Sequence, residues 1–254
     1  MRKNPCSYFA AASLAAVIAV PLCFQRGAAS QESPQGAPGA AAKVYGEWRI
    51  RVRPDRGSEY ARLIEEKGLP LFREGGGRMV GWWQTLIGDL YEHVTIWEYD
   101  GMPAFEKAVQ FLGKDERFKK FASLRDPLLD GETSAFLRPL EPFRAPALPE
   151  RAPMVIHETH RVWVSSLPAY TKALAEALPL LEKHGFRRAG PFRSAVGRWS
   201  EITYLWFYDS LADRDAKIAA LGASPEGARL EELLLAKVDD VITRLLIPAP
   251  FMGR

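Results

Sequence analysis

The chain has 254 residues, 47% hydrophobic and 26% charged, the balance of a globular protein with room for one large domain or two of about 100 residues. Its formal charge of +3 sits in the first thirty residues, which hold Arg2, Lys3 and Arg26 and no acid, so the remainder is balanced. That excludes the basic footprint of a nucleic-acid-binding protein.

The chain opens with "MRKN", an apolar run "SYFAAASLAAVIAVPLCF" and the small residues "GAAS". This order predicts a signal peptide over residues 1–30, and hence a periplasmic or secreted protein. A membrane anchor would need roughly 20 uninterrupted apolar residues, and Pro21 breaks the run. No stable membrane insertion is therefore expected after cleavage. Lipidation at Cys23 is the minor alternative, with Leu22 where bacterial lipoproteins usually place a small residue. Cys6 and Cys23 are the only cysteines. Once the leader is removed, neither a disulfide nor a thiol nucleophile is expected.

Residues 31–43 are rich in Gly, Pro and Ala and read as a flexible tether. A second Pro-rich stretch, Leu140–Pro153, divides the rest of the chain into domains at 44–144 and 154–254, with a linker over 145–153. The two domains repeat each other. "IGDLYEHVTIWEYD" at Ile87–Asp100 matches "VGRWSEITYLWFYD" at Val196–Asp209 without a gap, and small shifts bring Glu47 onto Glu158.

Each half reads β-α-β-β-α-β, with a shorter helix after the second. "VYGEWRIRV" and "MVIHETHRVWV" have the β-branched and aromatic content of strands. "SEYARLIEEKGLPLF" and "PAYTKALAEALPLLEKHG" have helical periodicity. Pro70 and Pro179 predict a matched kink, and Gly185 a C-cap. Gly88 and Gly197 mark turns into the Trp-x-Tyr-Asp strands. Asp100 and Asp209 are placed to cap the helices after those strands, and Ser224 to cap the last one. The fold class is α+β: two tandem ferredoxin-like domains packed sheet to sheet.

The set "EWRIRV", "LPLF", "VGWWQT" and "IWEYD", echoed by "LPLLEKHG" and "LWFYDSLADRDA", resembles the NIPSNAP family over Val44–Phe143 and Ile156–Phe251. The resemblance implies a dimeric α+β barrel, a fold shared with cofactor-independent antibiotic-biosynthesis monooxygenases and with haem-degrading proteins. It supplies no agreed catalytic residues. Where family members often carry a histidine on the third strand, this chain has Thr95 and Tyr204.

Core packing and a helix cap account for the repeated Trp-x-Tyr-Asp motif without a ligand. The candidate binding residues lie elsewhere. Glu47 and Arg49 share a face of the first strand, with Glu158 and His160 as their expected counterparts, and Trp82, Trp83 and Trp163 could wall a pocket beside them. An ion pair across the domain seam is the plain account of these charges. The sharper one is a polar end to an apolar cavity, with Arg49 or His160 holding a carbonyl or anionic group and His160 as a general base. His157 and His160 face opposite sides of a strand and cannot chelate one metal together. No metal or cofactor motif appears.

Four function classes are compatible with these residues: a binder of a small, largely apolar molecule; a cofactor-independent monooxygenase or isomerase; a haem-binding protein using His93, His157 or His160; and a non-catalytic scaffold. A small-molecule ligand and a homo-oligomer are the partners this allows.

Overall fold

A computed structural model describes residues 42–143, 152–198 and 200–252. The predicted leader, nearly all of the tether and most of the linker lie outside the described residues, and both cysteines with them.

The first half runs β1 (Val44–Val52), α1 (Gly57–Leu63), a π-turn (Ile64–Gly68), α2 (Leu69–Glu74), β2 (Arg78–Ile87), β3 (Glu92–Tyr99), α3 (Met102–Lys114), α4 (Glu116–Arg125) and β4 (Leu129–Pro139). The second runs β5 (Met154–Val162), α5 (Leu167–Lys183), β6 (Arg187–Val196), β7 (Glu201–Tyr208), α6 (Leu211–Gly222), α7 (Pro225–Leu235) and β8 (Val238–Pro248). Strand neighbours are β4-β1-β3-β2 in the first half and β8-β5-β7-β6 in the second, all antiparallel.

The two sheets also join along their edges. β2 pairs with β8 and β4 with β6, closing an eight-stranded barrel. Closure removes every free strand edge. Side chains alternate between two environments, as a period of two requires. Tyr45, Val94 and Ile96 of the first half meet Val155, Phe192, Leu205 and Leu246 of the second in a shared interior core. On the outer face, Val44, Ile50 and Trp97 form a core with Phe105 of the first half's helices, and Ile156 and Trp206 one with Leu174 and Leu178 of the second's.

Several local expectations need correction. Val44 lies opposite Tyr99, and Met154 opposite Tyr208, so these strands superpose with Glu47 on His157, Trp48 on Glu158 and Ile50 on His160. Matching Glu47 to Glu158 was one residue out, and in a strand one residue reverses the face. Pro179 lies inside the continuous α5, whereas Pro70 stands in the first turn of α2 after the π-turn, so the kinks are not matched. The positions before α3 and α6 are held by Gly101 and Ser210 rather than Asp100 and Asp209, and Ser210 accepts from the Asp213 N–H. Asp209 instead pairs with Arg187 at 2.7 Å. Gly185 and Ser224 stand as expected, Gly185 with φ +79° just past α5 and the Ser224 hydroxyl accepting from the Gly227 N–H.

Candidate functional site

The predicted residues fall in separate places. Glu47 and Arg49 point into the barrel. Glu47 is 1% exposed, 2.8 Å from Arg49 Nε and 3.0 Å from His157 Nε2, and His157 is fully buried. Glu47 and His157 occupy equivalent positions of the two halves, so this contact crosses the barrel between β1 and β5. Burial alone would raise the Glu47 carboxyl, but His157, Arg49 and Arg244 together hold it at about 2. Arg244 extends the cluster, 3.0 Å from Asp89 and 2.9 Å from Glu92. Across the seam the contact is a hydrogen bond between Glu47 and His157, a partner that the repeat alignment did not supply, while the ion pair of Glu47 is with Arg49 on its own strand.

Glu158 and His160 face the other way, toward the helices of the second half. There the sheet, α5, α6 and α7 enclose a cavity of about 340 Å³. Its helix side is aliphatic, with Leu174, Leu178, Leu181, Leu221, Leu230 and Leu234. Its sheet side carries Ile156, Phe186 and Trp206.

A continuous hydrogen-bonded chain forms the polar end. Glu158 Oε1 lies 2.7 Å from His160 Nε2, His160 Nδ1 lies 2.7 Å from the Tyr170 hydroxyl, and that oxygen lies 2.8 Å from the Tyr204 hydroxyl. One proton arrangement satisfies all four groups: Nε2–H donates to Glu158, Tyr170 donates to Nδ1, and Tyr204 donates to Tyr170. Burial raises both phenols, and the Glu158 charge adds to it, so each remains a donor at neutral pH. Tyr204 lies flat against Trp206, their ring centres 5.5 Å apart and their planes at 11°. Tyr170 and Tyr204 were not among the predicted site residues. The signal in the sequence was Tyr204 itself, standing at the family's histidine position.

The first half has no such site. Trp48 and Ile50 replace Glu158 and His160, Thr95 replaces Tyr204, and the matching space shrinks to about 70 Å³ among Tyr60, Phe72, Trp82 and other aromatic rings. Trp82 is therefore first-half core, packed edge-on to Phe251. Trp163 follows β5, is 55% exposed and lines neither cavity. Among the described residues, no third His, Cys, Asp or Glu joins Glu158 and His160 in a group able to hold a metal ion.

A carboxylate hydrogen-bonded to an imidazole at the end of a largely apolar cavity can accept a proton from a bound molecule. Its second oxygen can also anchor a hydroxyl.

The NIPSNAP family model matches residues 47–142 and 159–252. The Drosophila melanogaster protein NipSnap is 24% identical over 220 residues, covering 82% of this chain and 77% of its own. A Fusobacterium nucleatum structure provisionally described as a monooxygenase superposes with a TM-score of 0.60 at 8% identity, over 82% of this chain and 93% of that one. One from Lactobacillus acidophilus, described the same way, gives 0.56 at 11% identity, over 81% and 93%. At these identities the two structures share the α+β barrel fold and nothing finer.

Proposed function

The chain belongs to the NIPSNAP family, and from that premise we propose that it binds a small, largely apolar molecule in the second-half cavity, with Glu158 and His160 as the polar end. We read each half as a ferredoxin-like unit and the whole as the single-chain counterpart of a dimeric α+β barrel, a reading supported by the repeated strand order.

The observation that carries the proposal is the contrast between the halves. The same place in the fold is filled with aromatic core in one half. In the other it is left open and given a carboxylate, an imidazole and two phenols. Leaving a cavity costs stability, and the barrel does not need it, since the first half fills the same place.

Proton abstraction is the chemistry this end suits. Glu158 would take a proton from an acidic C–H or O–H, and the electron pair left behind would stay on the substrate. Reprotonation elsewhere gives an isomerase. Addition of dioxygen and a proton to that carbanion, followed by loss of water from the hydroperoxide, leaves one oxygen atom on the substrate, which is monooxygenase chemistry, the activity named for the Fusobacterium and Lactobacillus proteins. A haem reading has less support. His160 spends both ring nitrogens on Glu158 and Tyr170, and His157 is locked to Glu47 inside the barrel. His93 lies against Tyr60, which borders a first-half space of only about 70 Å³.

Export belongs to the same proposal. An N-terminus near Gln31 on the purified product would support it, and an intact Met1 on a cytoplasmic protein would refute it.

The site is tested with Glu158→Gln and His160→Gln beside Arg49→Gln, whose side chain points into the barrel. The first two should lose co-purified ligand in native mass spectrometry, and the third should keep it with a lower melting temperature. Ligand retained in all three variants would assign these groups to a non-catalytic scaffold.

A further inference from the structure

We propose that the ligand is a neutral aliphatic chain ending in a hydroxyl or enolisable carbonyl, and neither a flat aromatic nor a fatty-acid carboxylate. This rests on the site proposed above and adds the class of molecule it takes.

The walls set the apolar part. The helix side of the cavity is built from leucines on α5, α6 and α7. Branched aliphatic side chains offer no flat face for a ring to stack on, whereas they pack against methylene groups in any rotation. The aromatic groups on the sheet side are already engaged. Tyr204 and Trp206 stack on each other, and Phe186 stands edge-on to Trp206 and Tyr208. The first half shows what this fold does when it packs rings, for its space is lined by Trp48, Phe72, Trp97, Phe105 and Phe118. The second half has Leu181 in the place of Phe72 and Arg214 in the place of Phe105.

The apolar lining continues to the open side. Ile218, Leu235 and Val241 line the cavity while 42%, 48% and 39% exposed, so the apolar surface extends to the mouth. A ligand chain longer than the enclosed part would still be covered there.

The hydrogen-bond chain sets the head group. With His160 Nε2–H directed to Glu158, Nδ1 receiving the Tyr170 hydroxyl and Tyr204 donating to Tyr170, the donors of this chain are used. What it offers a ligand is acceptor capacity on the Glu158 carboxylate and the Tyr204 oxygen. The carboxylate receives an O–H or an acidic C–H and repels an anion. Arg214 also lines the cavity, but it sits toward Tyr208, four residues along β7 from Tyr204, and its guanidinium lies 3.3 Å from Asp215.

The experiment is calorimetric titration of the full chain at pH 8 with straight-chain alcohols from butan-1-ol to octan-1-ol, with octanoate and with 2-naphthol. Affinity should rise about fourfold for each added methylene, the ratio that ~0.8 kcal/mol per buried CH₂ gives. Octanoate should bind at least about tenfold more weakly than octan-1-ol. 2-Naphthol should bind more weakly than octan-1-ol. Three results would overturn the proposal: affinity independent of chain length, octanoate binding tighter than octan-1-ol, or 2-naphthol binding tightest. If any of these came with binding still lost in Glu158→Gln and His160→Gln, the site would stand and only the ligand class would fall. No binding of any probe, with co-purified ligand unaffected by both variants, would remove the site as well.

Discussion

Tyr60 and Tyr170 form a matched pair that separates a hydrogen-bonded phenol from an orphaned one. They occupy equivalent places in the two halves, and both are fully buried. The Tyr170 hydroxyl lies 2.7 Å from His160 Nδ1 and 2.8 Å from the Tyr204 hydroxyl. Among the described residues the Tyr60 hydroxyl has no hydrogen-bond partner. Tyr170→Phe removes one oxygen and leaves two buried groups unpaired, a cost of about 2–3 kcal/mol. Tyr60→Phe removes a hydroxyl that is desolvated without return, so it should be neutral or stabilising by up to about 1 kcal/mol. For a folded body of this size Tyr170→Phe should lower the melting temperature by roughly 4–12 °C, while Tyr60→Phe leaves it unchanged or raises it. Urea denaturation of both variants checks this, provided the slope against denaturant is that of the parent chain. Equal destabilisation by the two substitutions would refute the reasoning, because it would mean that the hydrogen-bond chain adds nothing to the packing of the ring.

One histidine and one carboxylate give pH signatures in different windows. Burial lowers His93 to about 4, below its ordinary 6.5, so the unfolded chain binds the proton more readily. Stability should therefore fall as pH drops from 6.5 toward 4, by up to roughly 3 kcal/mol, and His93→Ile, which copies Ile202, should flatten that part of the curve. Glu47 is held at about 2, below its ordinary 4.5, so its contribution is present above pH 4.5 and lost as pH falls toward 2. Glu47→Gln should remove this dependence in acid-unfolding curves. Identical slopes below pH 4.5 for the parent chain and the variant would contradict the assignment. Residues 42–143 expressed alone should be insoluble or dimeric in size-exclusion chromatography, because the barrel-facing side of Tyr45, Val94 and Ile96 and the free edges of β2 and β4 would be uncovered. A soluble, cooperatively folding monomer would show that the shared core is dispensable.

Duplication, the α+β class and the order of the elements could be read from the sequence, because each follows from local signals. Matched Trp-x-Tyr-Asp strands, Gly88 and Gly197 at the turns and Ser224 at a helix start depend on spacing within a few residues. The candidate site was legible only in part. Glu158 and His160 were identifiable as polar residues on the first strand of the second half, but the face they occupy was not. A one-residue shift in the repeat alignment paired Glu47 with Glu158, when register places Glu47 on His157 and sends Glu158 to the opposite side of the sheet. Tyr170 could not be joined to His160 without knowing how α5 lies across β5. Nor could the contrast between an open cavity and a filled one be foreseen, since it depends on the summed volumes of side chains from the sheet and the helices. Alternation along a strand is a property of the chain, whereas which residues share a cavity is decided by barrel closure and helix packing.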